Sequence, residues 1–306
     1  MTRENYQDLE DFKLLLQRIS ENFNLVQGFG GNASVKTSSR MLVKASGKRM
    51  GSVTDPTYFH EVSLEEREPV DNIPGQSTRP SIEVFLHALM EDTFVLHLHS
   101  TLGVAISMLA SSDSEIAVEL EKLAVTNLSY LRPGKELSRG IEKALALGKS
   151  SAFLLGNHGT LFSSNSVSDL EDKVMGFESW AEGFLTTRRG SSIASEKLTS
   201  AEKHSRGDHA VWHALHNWRI SPDHCVFLGL EPDLTTLSIL SSASTSNEIF
   251  DAPVTLGGQP TVRSEQLAWF FDVTQVLPRR LLTTLEQSEA QYLAGWEAEK
   301  HRVSGA

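Results

Sequence analysis

A single cysteine, Cys225, stands among 306 residues. An intrachain disulfide framework and a thiolate metal cluster are therefore both excluded, and a reducing compartment, the cytoplasm, is the expected location. Basic charge is also scarce. The 28 Lys and Arg against 39 Asp and Glu give a formal charge of −11 with no basic arm, which argues against nucleic acid as a partner, because backbone binding needs clustered Lys and Arg. No apolar run approaches the length of a membrane span, and the polar start Met1-Thr2-Arg3-Glu4-Asn5-Tyr6 gives no reason to expect a signal peptide. What remains is a chain long enough for one large domain, or a domain with a smaller appendage, around a sizeable core.

Chemistry concentrates at Val95-Leu96-His97-Leu98-His99-Ser100. Read as a strand, this stretch sends His97 and His99 to one face while Leu96 and Leu98 turn into the core. A third imidazole follows in Leu154-Leu155-Gly156-Asn157-His158-Gly159, at the end of another apolar run and before a glycine that permits a sharp bend. Three imidazoles so placed suit zinc or a related divalent ion.

Around these strands, Tyr6, Leu9, Phe12, Leu16, Ile19 and Phe23 mark one stripe of a packing helix over about 5–23. Gln27-Gly28-Phe29-Gly30-Gly31-Asn32 then leads into a strand, the reverse of the dinucleotide fingerprint. The loop is either a tight turn or a backbone cradle for an anion. Met41–Lys44 reads as a hairpin partner running into Ala45-Ser46-Gly47, and 57–74 reads as acidic loop with Ile73–Pro80 at its end. Ser81 is a plausible cap for a helix over 81–90. Glu83, in its first turn, either offsets the helix dipole or serves as acid, base or ligand. Further helices are expected at 101–109, 136–147 and 169–187, and strands at 124–128 and 152–155, with extended chain over 160–163. Tyr130 and Arg132 sit in a loop, by position alone at the surface, and Arg188–Ser192 reads as a linker.

Past residue 200, His209 and His213 lie one helical turn apart, but Ala210 stands where a zincin needs its Glu. Strands at Cys225–Gly229, Gln259–Arg263 and Phe270–Val276 and a helix over 281–299 are expected. The chain thus divides into residues 1–190 and a small α/β appendage over 200–306.

In order, Gly30-Gly31-Asn32-Ala33-Ser34-Val35, Ser46-Gly47, Pro80-Ser81-Ile82-Glu83, His97-Leu98-His99 and Asn157-His158-Gly159 resemble the class II aldolase/adducin family over roughly residues 8 to 187. The resemblance implies a three-layer α/β/α sandwich around a mostly antiparallel sheet. It also implies a homotetramer with active sites near subunit interfaces. Its implied site is Zn²⁺ or another divalent metal on His97, His99 and His158, with Glu83 as acid/base and fourth ligand at rest. Gly31, Asn32, Ser46, Gly47 and Ser81 would line the phosphate pocket, and Tyr130 would act on the leaving aldehyde. Such a site suits retro-aldol cleavage of a phosphorylated ketose through a metal-stabilised enediolate. Dehydratases, epimerases and decarboxylases of sugar phosphates or sugar acids share it, whereas adducin-like assembly proteins lack its metal set. Pro80 and Lys44-Ala45 depart from the family's usual Ser and Thr-Pro, which leaves the nature of the anion open.

Overall fold

A computed structural model of the chain describes residues 3–65, 68–70, 77–110, 113–195, 206–243, 245–250, 260–277 and 283–295. The apolar stripe at the amino terminus forms α1 (Arg3–Glu21), whose Phe12 and Leu16 are fully buried. Beyond the glycine loop, β1 (Asn32–Lys36) and β2 (Arg40–Lys44) make the expected hairpin. Residues 57–74 were expected to be loop, yet β3 (Phe59–Glu65) and β4 (Glu68–Val70) extend the sheet there. The strand signal was short: His60 and Val62 alternate inward while charge occupies the positions between, as suits a strand near a sheet edge. The first half of the expected 73–80 loop, residues 73–76, lies outside the described residues.

Then follow α2 (Val84–Leu89), β5 (Phe94–Leu98), α3 (Thr101–Ala110), α4 (Ser114–Lys122), β6 (Thr126–Leu128), α5 (Lys135–Leu147), β7 (Ala152–Leu155), β8 (Gly159–Ser164) and α6 (Val167–Ser195). The eight strands form one sheet in the order β4-β3-β2-β1-β5-β8-β7-β6, antiparallel except for the β6–β7 pair. Phe94, Leu96 and Leu98 join a core with Phe12 of α1, Val104 of α3 and Phe177 of α6. The alternate residue Val95 packs with Leu86 of α2 and Ile141 of α5. Helices thus cover both faces, giving the α/β/α sandwich, and β5 is buried along its whole length because both of its faces are packed. The expected linker at Arg188–Ser192 is helical, since α6 runs on to Ser195. A glycine costs a helix only about 1 kcal/mol relative to alanine, too little to stop one already propagating.

The carboxy-terminal segment departs from the expected α/β pattern. Among the described residues it consists of helices: α7 (Arg206–His216), α8 (Pro222–Leu228), α9 (Leu234–Ser242), α10 (Ser246–Phe250), α11 (Pro260–Val276) and α12 (Gln287–Ala294). The supposed strand Cys225–Gly229 is α8. Ser221 caps it by accepting from the His224 N–H, Pro222 opens it, and Gly229 ends it at φ +83°. The supposed strands at 259–263 and 270–276 belong to α11, apart from Gln259, which lies outside the described residues. Val262, Leu267, Ala268, Trp269, Phe270, Phe271 and Val273 are all buried, as are the polar Ser264, Glu265, Gln266 and Thr274, so this helix is enclosed on nearly every side and shows no 3.6-residue apolar stripe. The final helix is shorter than the expected 281–299. Trp218, Leu240, Phe270 and Val273 share one core with Phe12 and Val104, so the segment is packed into the sandwich. No helix among the described residues is long and apolar enough to cross a membrane.

Candidate functional site

The site is built where β5 ends. His97 pairs with Asn32 of β1 on one side and Leu161 of β8 on the other, which fixes its height in the sheet. Its Nδ1 donates to the Thr160 carbonyl at 2.8 Å, so in the neutral ring Nε2 is left with a lone pair. His99 Nδ1 lies 3.1 Å from Asp223 Oδ2, a carboxylate that favours the ring proton on that nitrogen. The two Nε2 atoms therefore face each other at 3.0 Å, both as acceptors, an arrangement that calls for a cation between them. His158 comes from the turn joining β7 to β8, where Asn157 is left-handed at φ 53° and Gly159 has φ +148°. A Cβ at Gly159 would collide with the Leu98 carbonyl, so only glycine lets this turn lie against the end of β5.

Glu83 stands at the N-cap position of α2 without capping it. The expected cap, Ser81, accepts from the Glu83 N–H at 3.2 Å instead, in the turn before the helix. The Glu83 carboxylate is thereby free to face the imidazoles, with Oε1 3.4 Å from His158 Nε2 and Oε2 3.6 Å from His97 Nε2. Asn32 Nδ2 donates to Glu83 Oε2 at 3.0 Å and to Ser81 Oγ at 2.7 Å. One donor atom from each of Glu83, His97, His99 and His158 lies within 4.8 Å of the others. Four-coordinate zinc sets its donors roughly 3.3 Å apart, and the separations of 3.0, 3.4 and 3.6 Å straddle that value.

Electrostatics agree with a cation site. Burial pushes His158 down to about 3 and lowers His97, so both rings are neutral ligands near pH 7. Burial by itself would raise Glu83; only positive charge at the imidazole cluster, helped by the Asn32 amide, brings its carboxyl down to about 2. With the rings neutral, that carboxylate needs its countercharge from a bound cation. Glu83 Oε1 is buried with no hydrogen-bond partner among the described residues, which is the acceptor such an ion would satisfy.

The site opens into a cleft of about 470 Å³, counting its mouth, lined by Phe29, Gly31, Asn32, Lys44, Ser46, Gly47, Ser81 and Glu83 on one side. The anion cradle expected of the glycine loop is only partly available. Gly28 N–H donates to Glu265, Gly30 N–H to the Gln27 carbonyl and Ser46 N–H to the Arg79 carbonyl, so these three amides are engaged. Lys44 adds an ammonium that sequence reading did not single out. It is 2% exposed, and its Nζ donates to the carbonyls of Lys48 at 2.7 Å and Phe29 at 3.3 Å.

Residues 15–185 match the family described as Class II Aldolase and Adducin N-terminal domain. The chain belongs to this family. Among curated relatives of this class II aldolase/adducin chain is a 3-oxo-tetronate 4-phosphate decarboxylase from Haemophilus influenzae. It is 30% identical over 175 residues, covering 52% of this chain and 78% of the relative. A probable bifunctional methylthioribose-1-phosphate isomerase/methylthioribulose-1-phosphate dehydratase from Nocardia farcinica is 24% identical, covering 55% of this chain and 34% of the relative. Among solved structures, an N-terminal class II aldolase domain from Thermoplasma acidophilum covers 58% of this chain and 93% of that chain, at 24% identity and a TM-score of 0.48. The L-fuculose-1-phosphate aldolase of Thermus thermophilus covers 60% and 97%, at 20% identity and a TM-score of 0.46.

Within this class II aldolase/adducin chain, the fold brings together nine of the ten expected residues: Gly31, Asn32, Ser46, Gly47, Ser81, Glu83, His97, His99 and His158. The tenth, Tyr130, is not among those lining the cleft. Its hydroxyl donates to Glu289 Oε1 of α12 at 2.9 Å, and Arg132 binds the same carboxylate. The cleft's other wall is Pro222, Asp223 and Val226 of α8, which sequence reading missed. The available signal was Ser221-Pro222-Asp223, a helix start, but it says nothing of which helix end meets His99.

Proposed function

We propose that the chain is a zinc-dependent lyase that breaks a carbon–carbon bond beside the ketone of a small phosphorylated sugar or sugar acid. The observation carrying this reading is the convergence of Glu83, His97, His99 and His158 at the floor of a cleft whose wall holds Lys44 and Ser46. A divalent ion held by the three imidazoles, with Glu83 as a fourth donor at rest, supplies Lewis-acid stabilisation of charge developing at the ketone oxygen. Lys44, Ser46, Gly47 and Ser81 bind the substrate's anionic group and so orient the bond to be broken. When that bond breaks, its electron pair stays on the carbon beside the ketone, and Glu83, having taken up a proton from solvent water, delivers it to that carbon and is left ionised again. Asn32 holds Glu83 in place for the transfer.

Retro-aldol cleavage is the first reading, and it requires a group to take the proton of the hydroxyl that becomes an aldehyde. Decarboxylation of a β-keto acid is a second reading favoured by a specific observation. Tyr130, the residue expected to serve the aldehyde, is bonded to Glu289, and CO₂ departs without any such proton transfer. The 30% identity to the Haemophilus influenzae decarboxylase supports the same reading. Residues 1–190 form the metal-dependent unit and 200–306 its cover, in a cytoplasmic homotetramer.

Metal analysis of the wild type and of His97→Ala, with CO₂ and aldehyde assays across phosphorylated ketoses and 3-oxo acids, tests the proposal. About one zinc per wild-type chain, its loss in His97→Ala, and one of the two products are expected. Glu83→Gln should lower kcat roughly 10²-fold with the metal kept. Equal metal in wild type and His97→Ala, or undiminished turnover by Glu83→Gln, would overturn it.

A further inference from the structure

We infer that Asp223, carried by the carboxy-terminal segment, is a positioning residue of the metal centre, and that this segment completes the site within its own chain. The inference rests on the metal-site reading above and adds a role for residues that the family match over 15–185 does not reach.

Three observations converge on it. His99 Nδ1 lies 3.1 Å from Asp223 Oδ2, with both side chains buried. An acceptor beside the second nitrogen of a metal-bound imidazole fixes the tautomer, aims the ring and raises its basicity. For His97 that acceptor is the Thr160 carbonyl of the sandwich itself. For His99 it is a carboxylate more than a hundred residues further along the chain.

Gly30 records the same pair in the backbone. A Cβ there would lie 2.7 Å from His99 Nδ1 and 2.8 Å from Asp223 Oδ2. Its φ is outside the left-handed range, so the glycine is required by this contact and not by backbone geometry. The turn that bears His158 is tied to the same stretch. Asn157 Nδ2 donates to the carbonyls of Ile220 and Thr283, each at 3.0 Å. Ile220 and Asp223 are three residues apart, so a single short segment grips the His99 and His158 arms together. The alternative is that Asp223 only offsets the dipole of α8 from its first turn. That role gives no reason for the contact with His99, nor for a bare Cα at Gly30.

The test is metal affinity, measured on the full chain by chelator competition with Zn²⁺ and from the visible spectrum of the Co²⁺ form. Asp223→Asn keeps the shape and removes the charge, and it should weaken Zn²⁺ binding roughly 10-fold or more and alter the Co²⁺ spectrum. Asp233→Ala, which removes the cap of α9, should leave both unchanged. Gly30→Ala should also weaken binding, and by less when Asp223 is already Ala, because the pair it disturbs is then gone. If Asp223→Asn does not fold, Gly30→Ala and its coupling decide the matter. Wild-type affinity in Asp223→Asn, or an undiminished Gly30→Ala effect beside Asp223→Ala, would overturn the inference while leaving the metal site standing. A wild type that takes up no metal would instead overturn the metal-site reading beneath it.

Discussion

His224 gives the sharpest test of how the carboxy-terminal helices are held. Its ring is fully buried on α8, its centroid 4.3 Å from that of Trp218 and 5.0 Å from that of Phe270, and neither ring nitrogen has a hydrogen-bond partner among the described residues. Burial pushes it down to about 3, as it does His87 and His158. In the unfolded chain these rings take up protons below about 6.5. Between pH 4.5 and 6.5 the unfolded state therefore holds three protons that the folded state lacks, and stability falls as pH falls through that window. Glu178 acts the other way. Burial raises it to about 7, so the folded state keeps a proton that the unfolded state has released. His97, lowered in the same way, adds to the three imidazoles, so the unfolded state still binds at least two protons more and the metal-free protein loses roughly 3 kcal/mol or more per pH unit on acidification.

Replacing His224 by Leu removes one of these protons and makes the slope shallower by roughly 1 kcal/mol per pH unit. It also removes two unsatisfied buried nitrogens, so stability at pH 7.5 should rise by about 1–3 kcal/mol. Urea unfolding of the metal-free wild type and His224→Leu, followed by far-ultraviolet circular dichroism from pH 7.5 to 4.5, measures both quantities. Parallel pH profiles, or a variant less stable than wild type at pH 7.5, would refute the reasoning by showing that the folded imidazole is protonated or hydrogen-bonded.

Two further outcomes follow from the site. Because the Asn32 amide is engaged with Glu83 and Ser81, Asn32→Ala should lower kcat more than it raises KM in steady-state assays; a pure KM effect would place the amide on the substrate instead. Gly159→Ala drives a Cβ into the Leu98 carbonyl and should cost roughly 1–3 kcal/mol in urea unfolding as well as weaken metal uptake; wild-type values for both would show that the turn can shift without moving His158.

Local pattern determined much of this protein before any tertiary contact was considered. The period-2 run Val95–Ser100 placed His97 and His99 together, Gly159 marked the sharp turn after His158, and the stripe from Leu9 to Ile19 gave α1, because each of these signals lies within a few residues of its own effect. Local signals failed where an element is buried on every side or gains its partner from far away. Buried on nearly every side, α11 lost its helical period, and β3 carried its alternation through an acidic stretch. That Tyr130 would turn to Glu289 and that Asp223 would meet His99 were decided only by packing α8 and α12 against the sandwich. Those contacts join residues more than a hundred positions apart, a relation that spacing along the chain does not encode and that only the folded core enforces.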